Sequence, residues 1–179
     1  MEIKKLSKFL SLILRHKPET IGIILDEHGW ADVEELLHGI QKSGRNIDLP
    51  LLERIVAEND KQRFSFSEDR KKIRANQGHS VQVDVELNPK EPPEVLFHGT
   101  VEKSRASIEE KGILKGNRLY VHLSGDVETA LKVAARRKGE RLIYEVDAGR
   151  MFRDGFLFYQ SVNGVWLTET VPAEYLRLR

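Results

Sequence analysis

Apolar residues near the start of the chain recur with the period of an α-helix. They follow the spacing i, i+3, i+4, i+7 and i+8 of one buried helical face: Leu6, Phe9, Leu10, Ile13 and Leu14. The pattern predicts a helix with Lys8 and Arg15 together on its opposite face. Pro18 ends it, because the residue before a proline is disfavoured in the helical conformation.

Two further helices and a hairpin follow in the same part of the chain. DVEELL (32–37) and IDLPLLERIVAEND (47–60) have helical spacing. RFSFS (63–67) alternates between apolar and polar residues, and KIRA (72–75) can return as its partner strand after a charged turn. Three helices followed by a hairpin predict a winged-helix-like lobe over residues 1–80, an order common in modules that dock on nucleic acid.

The pattern changes after residue 80. VQVDVEL (81–87) alternates as an edge strand would, and NPKEPP (88–93) is typical of a linker. Beyond the linker we expect five strands, at EVLFHGT (94–100), RLYVHLS (118–124), RLIYEVDA (141–148), FLFYQS (156–161) and GVWLTET (164–170). Two helices are expected at SRASIEEKG (104–112) and DVETALKVAARRKG (126–139). This order predicts a second, mixed lobe over residues 81–179 and the α+β fold class for the chain.

Composition narrows the class of protein. The sequence contains no cysteine, which excludes disulfides and thiolate metal sites and allows a reducing compartment. Its first residues mix charges with apolar positions, unlike a signal peptide, and no apolar run approaches the roughly 20 residues that span a bilayer. We therefore expect a cytoplasmic protein with no membrane partner.

Charge alone does not indicate nucleic-acid binding. The chain has 29 Lys and Arg against 28 Asp and Glu, so its net charge is +1 and a basic surface must come from local clustering. The densest basic stretch is DRKKIRANQGH (69–79), which begins at the predicted wing and ends with His79. With the polar face of the first helix it supplies the candidate RNA-binding residues: Lys8, Arg70, Lys71, Lys72 and Arg74. Charged hairpin tips are also common for solubility alone.

Two predicted strands end in the same way, with a histidine followed by small polar residues. His98 precedes Gly99 and Thr100, and Ser124 follows two residues after His122. Imidazole and hydroxyl groups can hydrogen-bond ribose, and a glycine would let a ligand approach the backbone. Paired histidines can also act as ligands of a zinc ion. No cysteine or third ligand accompanies these two, so we expect no metal. Each histidine could instead be a structural residue of its strand.

Several segments occur together in an order and spacing that resemble a known family. They are LSKFLSLILRHKPE, GWADVEELL, DKQRFSF, IRANQGHS, LFHGT, YVHLS and NGVWLT, spread over nearly the whole chain. Together they resemble the NAD-dependent RNA 2′-phosphotransferases, which remove the 2′-phosphate that some tRNA ligases leave at a splice junction.

The resemblance implies a set of site residues. The family's catalytic tetrad falls on Arg15, His16, Arg63 and Arg118, with Arg136 and Arg137 as alternatives for the last. The second lobe looks like an ADP-ribosyltransferase fold, and its cofactor-binding residues would be His98, Gly99, Thr100, His122, Ser124 and Val165. The active site would lie in the cleft between the two lobes.

The resemblance also implies a reaction. The 2′-phosphate of a tRNA-like RNA would be transferred to NAD through an ADP-ribosylated RNA phosphate. The products would be RNA with a 2′-hydroxyl, ADP-ribose 1″,2″-cyclic phosphate and nicotinamide. NAD would serve as a co-substrate, no metal would take part, and we expect a monomer.

Two other functions fit parts of the sequence. An ADP-ribosyltransferase acting on terminal nucleic-acid phosphates or on protein could use Glu169 as its acidic residue. It would have no evident use for Arg15, His16 and Arg63. A winged-helix nucleic-acid binder that senses NAD would bind both ligands without releasing nicotinamide.

Overall fold

The computed structural model describes residues 2–179 of the chain. The chain forms two compact units, one ending at Glu86 and the other covering Leu87–Arg179. Both contain helices and small antiparallel sheets, which confirms the α+β class. No helix in residues 2–179 is long and apolar enough to cross a membrane.

The first unit contains three helices and one three-stranded antiparallel sheet. The helices are α1 (Glu2–Arg15), α2 (Val33–Lys42) and α3 (Leu49–Ala57), and a 3-10 turn covers Pro18–Ile21. The strands are β1 (Ala31–Asp32), β2 (Phe64–Phe66) and β3 (Lys72–Ala75), in the order β1-β3-β2. The three predicted helices and the hairpin are thus present, while their assignment to a winged-helix fold stays a prediction.

Local chemistry explains where these helices begin and what they bury. The Asp32 carboxylate accepts the N–H of Glu35, and the Asp48 carboxylate accepts the N–H of Leu51, so each caps the first turn of its helix. The apolar face of α1 is buried as its spacing predicted. It contributes to a core with members on all three helices and on β3: Leu10, Ile13, Leu14, Leu36, Ile40, Leu52, Ile55 and Ile73.

The alternating stretch 81–87 does not form the predicted strand. The N–H of Asp84 donates to the carbonyl of Glu27 at 2.8 Å, and the His28 ring donates to the carbonyl of Asp84 at 2.9 Å. These contacts keep the segment within the first unit. The division therefore falls after Glu86 rather than after residue 80.

The second unit carries three helices and three small antiparallel sheets. The helices are α4 (Arg105–Lys111), α5 (Val127–Ala134) and α6 (Ala148–Arg153). The strands are β4 (Leu96–Val101), β5 (Ile113–Leu114), β6 (Val121–Leu123), β7 (Arg141–Val146), β8 (Phe158–Gln160), β9 (Trp166–Thr168), β10 (Thr170–Val171) and β11 (Leu176–Leu178). The sheet orders are β11-β7-β4, β6-β9-β8 and β10-β5.

All five strands and both helices predicted for this unit occur, with shorter bounds. The sequence pattern missed α6 and the short strands β5, β10 and β11. The core lies against β4, β7 and β9, and among its buried members are Leu96, Tyr144, Val146, Phe158 and Trp166. The likeness of this unit to an ADP-ribosyltransferase fold stays a prediction.

Candidate active site

The end of α1 places two of the predicted catalytic residues beside the segment 76–80. Arg15 is the last residue of α1, and its carbonyl accepts the N–H of Ser80 at 2.9 Å. The next residue, His16, hydrogen-bonds through Nδ1 to the hydroxyl of Ser80 at 2.8 Å. Both residues are partly exposed. Cationic side chains at a helix C-terminus are favoured by the helix dipole, which suits this position.

Arg63 approaches the same segment from the hairpin. It immediately precedes β2, where Phe64 pairs with Ala75, so the chain beyond β3 runs alongside it. The N–H of Asn76 donates to the carbonyl of Arg63 at 2.8 Å. One five-residue segment, 76–80, therefore contacts Arg15, His16 and Arg63. Residues far apart in the sequence meet here.

His79, in the middle of this segment, is a neutral buried side chain. It is 1% exposed, and neither ring nitrogen has a hydrogen-bond partner among the described residues. Burial lowers its pKa to about 4, and the positive charges of Arg15, His16 and Arg74 act in the same direction. The ring therefore adds no charge next to Arg15 and His16, two of the predicted catalytic residues, near neutral pH. In the sequence, Asn76 and Ser80 are marked only by their place inside a matching motif, and His79 also belongs to the densest basic stretch.

The candidate RNA-binding residues differ in their surroundings. Arg74 is enclosed by its own unit: its guanidinium lies 4.3 Å from the centre of the Trp30 ring and donates to the carbonyl of His28 and to Glu86. These contacts give Arg74 a packing role within the first unit, and its assignment to RNA binding stays a prediction.

The other four RNA-binding candidates are exposed. Arg70 pairs with Glu53 at 2.9 Å and Lys72 pairs with Asp26 at 3.1 Å. Exposed pairs of this kind are weak and can exchange a carboxylate for a phosphate. Lys8 lies on α1 and Lys71 at the hairpin turn. A role for these four in binding RNA stays a prediction.

In the second unit, four of the predicted cofactor residues lie where β4 meets β6. The N–H of Phe97 donates to the carbonyl of Ser124 at 2.9 Å, and the N–H of Ser124 donates back at 2.8 Å. Leu123 pairs with Trp166, so the antiparallel register brings Val165 next to Ser124. His98 donates from Nδ1 to the carbonyl of His122 at 3.3 Å. The structure thus gathers His98, His122, Ser124 and Val165.

The two histidines have defined tautomers in this arrangement. Each bonds through Nδ1 to a carbonyl, which can only accept: His98 to His122, and His122 to the carbonyl of Tyr120 at 3.0 Å. Burial lowers the pKa of His98, and the nearby positive charge of Arg137 adds to the effect. His98 is therefore a neutral imidazole with its proton on Nδ1.

The surroundings of Gly99 and Thr100 differ from the open approach to the backbone that the sequence suggested, and their role in binding NAD stays a prediction. A Cβ at Gly99 would lie 1.9 Å from the carbonyl oxygen of Ala130, so α5 fills the space in which a cofactor was to approach. That reason for the glycine is wrong, and close packing of helix on strand replaces it. Thr100 is 1% exposed, and its hydroxyl has no hydrogen-bond partner among residues 2–179. A direct contact with NAD would require its surroundings to move.

Arg118 lies in the turn before β6, close to both of its alternatives. The surrounding protein lowers its pKa, and the positive charges of Arg136 and Arg137 lower it further. No carboxylate forms an ion pair with any of the three among residues 2–179. The three arginines form one cationic cluster, which suits an anionic ligand. Which of them is catalytic stays a prediction.

Glu169, the acidic residue of the alternative enzyme, is engaged elsewhere. It forms an ion pair with Lys115, and its side chain is exposed. This contact ties it to the turn after β5 and gives it no link to the histidines.

The family model for "RNA 2′-phosphotransferase, Tpt1 / KptA family" matches residues 1–170. The chain belongs to this family. The described contacts involving Arg15, His16 and Arg63 thus lie within the part that defines a Tpt1/KptA protein.

Individual relatives agree with the family match over nearly their whole lengths. A protein named "Probable RNA 2′-phosphotransferase" from Fusobacterium nucleatum is 53% identical over 173 residues, 97% of each chain. One of the same name from Flavobacterium johnsoniae is 53% identical over 176 residues, 98% of this chain and 96% of its own. Another from Acaryochloris marina is 49% identical over 174 residues. Membership of the Tpt1/KptA family therefore covers both units.

Proposed function

We propose that this chain transfers the 2′-phosphate of an RNA to NAD. An oxygen of the RNA 2′-phosphate attacks C1″ of the nicotinamide ribose, and the bond from C1″ to nicotinamide breaks. The neighbouring 2″-hydroxyl then attacks phosphorus and displaces the RNA 2′-oxygen, which takes up a proton. The products are RNA with a 2′-hydroxyl, ADP-ribose 1″,2″-cyclic phosphate and nicotinamide.

The observation that carries this proposal is the contact of one segment, 76–80, with Arg15, His16 and Arg63. A phosphate nucleophile is already anionic near neutral pH, so the first step needs binding and orientation of charge more than a base. Guanidinium groups stay charged and bind phosphate oxygens through two donors. Arg15 and Arg63 are assigned to the RNA 2′-phosphate, and Arg118 to the charge that develops at phosphorus. Removing one such contact costs about 3 kcal/mol of transition-state stabilisation, by analogy with oxyanion-hole donors.

His16 is assigned to the proton that the second step requires. Its Nδ1 bonds to Ser80, which directs Nε2 as the nitrogen for proton transfer to the departing RNA 2′-oxygen. The imidazole is the side chain suited to proton exchange at neutral pH, whereas the guanidinium of an arginine stays protonated. This division of roles uses both residue types of the tetrad.

The strand junction of the second unit fits a ribose-bearing ligand. His98, His122 and Ser124 place imidazole and hydroxyl groups together, and Val165 adds an apolar contact beside them. Because His98 is held as a neutral imidazole, it can take part in hydrogen bonds without adding charge. Neutral polar groups next to an apolar one are typical of a site that orients a sugar.

A reaction with purified protein, NAD and an oligonucleotide carrying one internal 2′-phosphate tests the proposal. We expect loss of the 2′-phosphate only when NAD is present, with one nicotinamide released for each phosphate lost. An ADP-ribosylated terminal phosphate or an ADP-ribosylated protein as the stable product would favour the alternative transferase. Binding of both ligands without nicotinamide release would favour an NAD-sensing binder.

A further inference from the structure

Asn76 connects to the backbone on both sides of Arg63. It is buried, with 4% of its surface exposed. Its backbone N–H donates to the carbonyl of Arg63, and its side-chain Nδ2 donates to the carbonyl of Gln62 at 2.6 Å. Its Oδ1 accepts the hydroxyl of Ser65 at 2.8 Å. Three bonds from one residue thus fix the chain on either side of the arginine.

The backbone held in this way is one that few residues adopt. Gln62 has φ of +41°, in the left-handed region that side chains disfavour. Its N–H donates to the carbonyl of Asn59 at 2.8 Å, and its carbonyl is the group that Asn76 binds. This conformation sets the direction in which the chain enters Arg63, and such strain persists only where neighbouring contacts impose it.

Ser80 makes the equivalent connection at the other end of the segment. Its N–H donates to the carbonyl of Arg15, and its hydroxyl bonds to His16 Nδ1. Between the two ends, Gly78 has φ of +86°, and a Cβ there would lie 3.4 Å from a terminal guanidinium nitrogen of Arg15. The backbone of the segment therefore lies against the Arg15 side chain. The same short stretch of chain connects Asn76 to Ser80.

We propose that Asn76 and Ser80 are positioning residues: Asn76 orients Arg63 and Ser80 orients His16, so that the segment 76–80 sets the geometry of the catalytic cations. The inference rests on the proposed function, because the proposed function gives Arg63 and His16 their catalytic roles. It adds that hydrogen bonds from two uncharged side chains, neither of which needs to touch the RNA or NAD, control the rate.

Ser80→Ala tests one end of the segment in the full chain. We expect kcat for 2′-phosphate removal to fall roughly five- to tenfold, the loss that one neutral hydrogen bond represents. The KM for NAD should stay within twofold, since Ser80 lies in the other unit from the residues assigned to NAD. Ser80→Thr keeps the hydroxyl and should restore most of kcat. Ser67→Ala removes a hydroxyl at the turn between β2 and β3 and serves as the matched control, with kcat unchanged.

Asn76→Asp tests the other end with almost no change in shape. It keeps the acceptor for Ser65 but replaces the Nδ2 donor to Gln62 with an oxygen. We expect kcat to fall at least tenfold in this variant. Ser65→Ala removes only the hydroxyl that donates to Asn76 Oδ1, and it should lower kcat less than threefold. Circular dichroism and the melting temperature of each variant establish that it is folded before kinetics are compared.

Distinct results separate failure of this inference from failure of the proposed function. A wild-type protein that leaves the 2′-phosphate in place with NAD contradicts the proposed function. An active wild type beside folded Ser80→Ala and Asn76→Asp variants of unchanged kcat overturns the positioning role alone. A loss in Ser80→Ala that Ser80→Thr does not restore overturns it as well.

Discussion

Residues of the second unit divide into those that a ligand can reach and those that the fold encloses. His98, His122, Ser124 and Val165 are partly exposed at one strand junction, whereas Gly99 and Thr100 are buried. Sequence adjacency suggested a single ligand-binding stretch at His98, Gly99 and Thr100. Alternation along β4 turns Gly99 towards α5 and away from His98, whereas Thr100 shares the side of His98 and is enclosed by the surrounding protein.

The first prediction concerns the second chemical step. His16→Ala and Arg118→Ala should slow transfer at phosphorus more than attack on NAD, so an ADP-ribosylated RNA should accumulate. A denaturing gel of end-labelled RNA resolves this species from substrate and product. Arg136→Ala and Arg137→Ala are the matched comparisons for Arg118, because the three arginines form one cluster. A fully active Arg118→Ala beside an inactive neighbour would move the fourth catalytic position to that neighbour.

The second prediction concerns stability against pH. The folded pKa of His79 is about 4 and its ordinary value is 6.5, so between these values the unfolded chain binds a proton that the folded chain does not. Stability should therefore fall as pH drops from 6.5 towards 4, by at most about 3 kcal/mol from this residue. Urea unfolding at pH 7.5 and pH 5 should show a smaller difference in His79→Gln. The exposed His38→Gln serves as control, and an equal difference in all three proteins would contradict the assignment.

At the scale of elements, the close contact between α5 and β4 requires a residue without a side chain at Gly99. Gly99→Val should destabilise the protein by about 3 kcal/mol or more, because its side chain would overlap the backbone of α5 at Ala130. Gly125→Ala is the control, since a Cβ at that position meets no atom within 4 Å. Thermal unfolding measures both. A stable Gly99→Val with lost NAD affinity would instead restore the ligand-approach role.

The hairpin β2–β3 gives a fourth prediction, on two cations with different roles. Arg74→Ala should lower the free energy of unfolding by about 1 to 2 kcal/mol, because it loses its stacking on Trp30 and its bond to His28. Lys71→Ala should leave stability nearly unchanged and weaken RNA binding, with the slope of log affinity against log salt reduced by about 1. Fluorescence titrations at several salt concentrations and urea unfolding distinguish the two. Weakened RNA binding by a stable Arg74→Ala would contradict the structural role of Arg74.

Periodicity predicted most elements of both units because each of these elements buries one regular face. It failed at 81–87, where an alternating pattern lies along the first unit and forms no strand, and it missed α6 and the short strands β5, β10 and β11. Motif matches singled out Arg15, His16 and Arg63, which the structure brings together around the segment 76–80, while their catalytic roles stay a prediction. The roles of Asn76 and Ser80 depend on contacts between residues more than ten positions apart, which no local pattern reports.

At the scale of the whole molecule, each unit supplies one kind of chemistry. The first holds the guanidinium groups of Arg15 and Arg63 and the imidazole of His16 around the segment 76–80. The second holds two imidazoles, a hydroxyl and an arginine cluster. The proposed reaction requires both sets, because it joins an anionic phosphate to a ribose and then separates them. Its defining feature is the fate of the phosphorus atom.

An RNA labelled with ³²P only at its internal 2′-phosphate follows that atom directly. With NAD, we expect the label to leave the RNA and appear in ADP-ribose 1″,2″-cyclic phosphate, in amounts equal to the nicotinamide released. Without NAD, the label should stay in the RNA. Label recovered as inorganic phosphate, or nicotinamide released while the label remains on RNA at completion, would contradict the account.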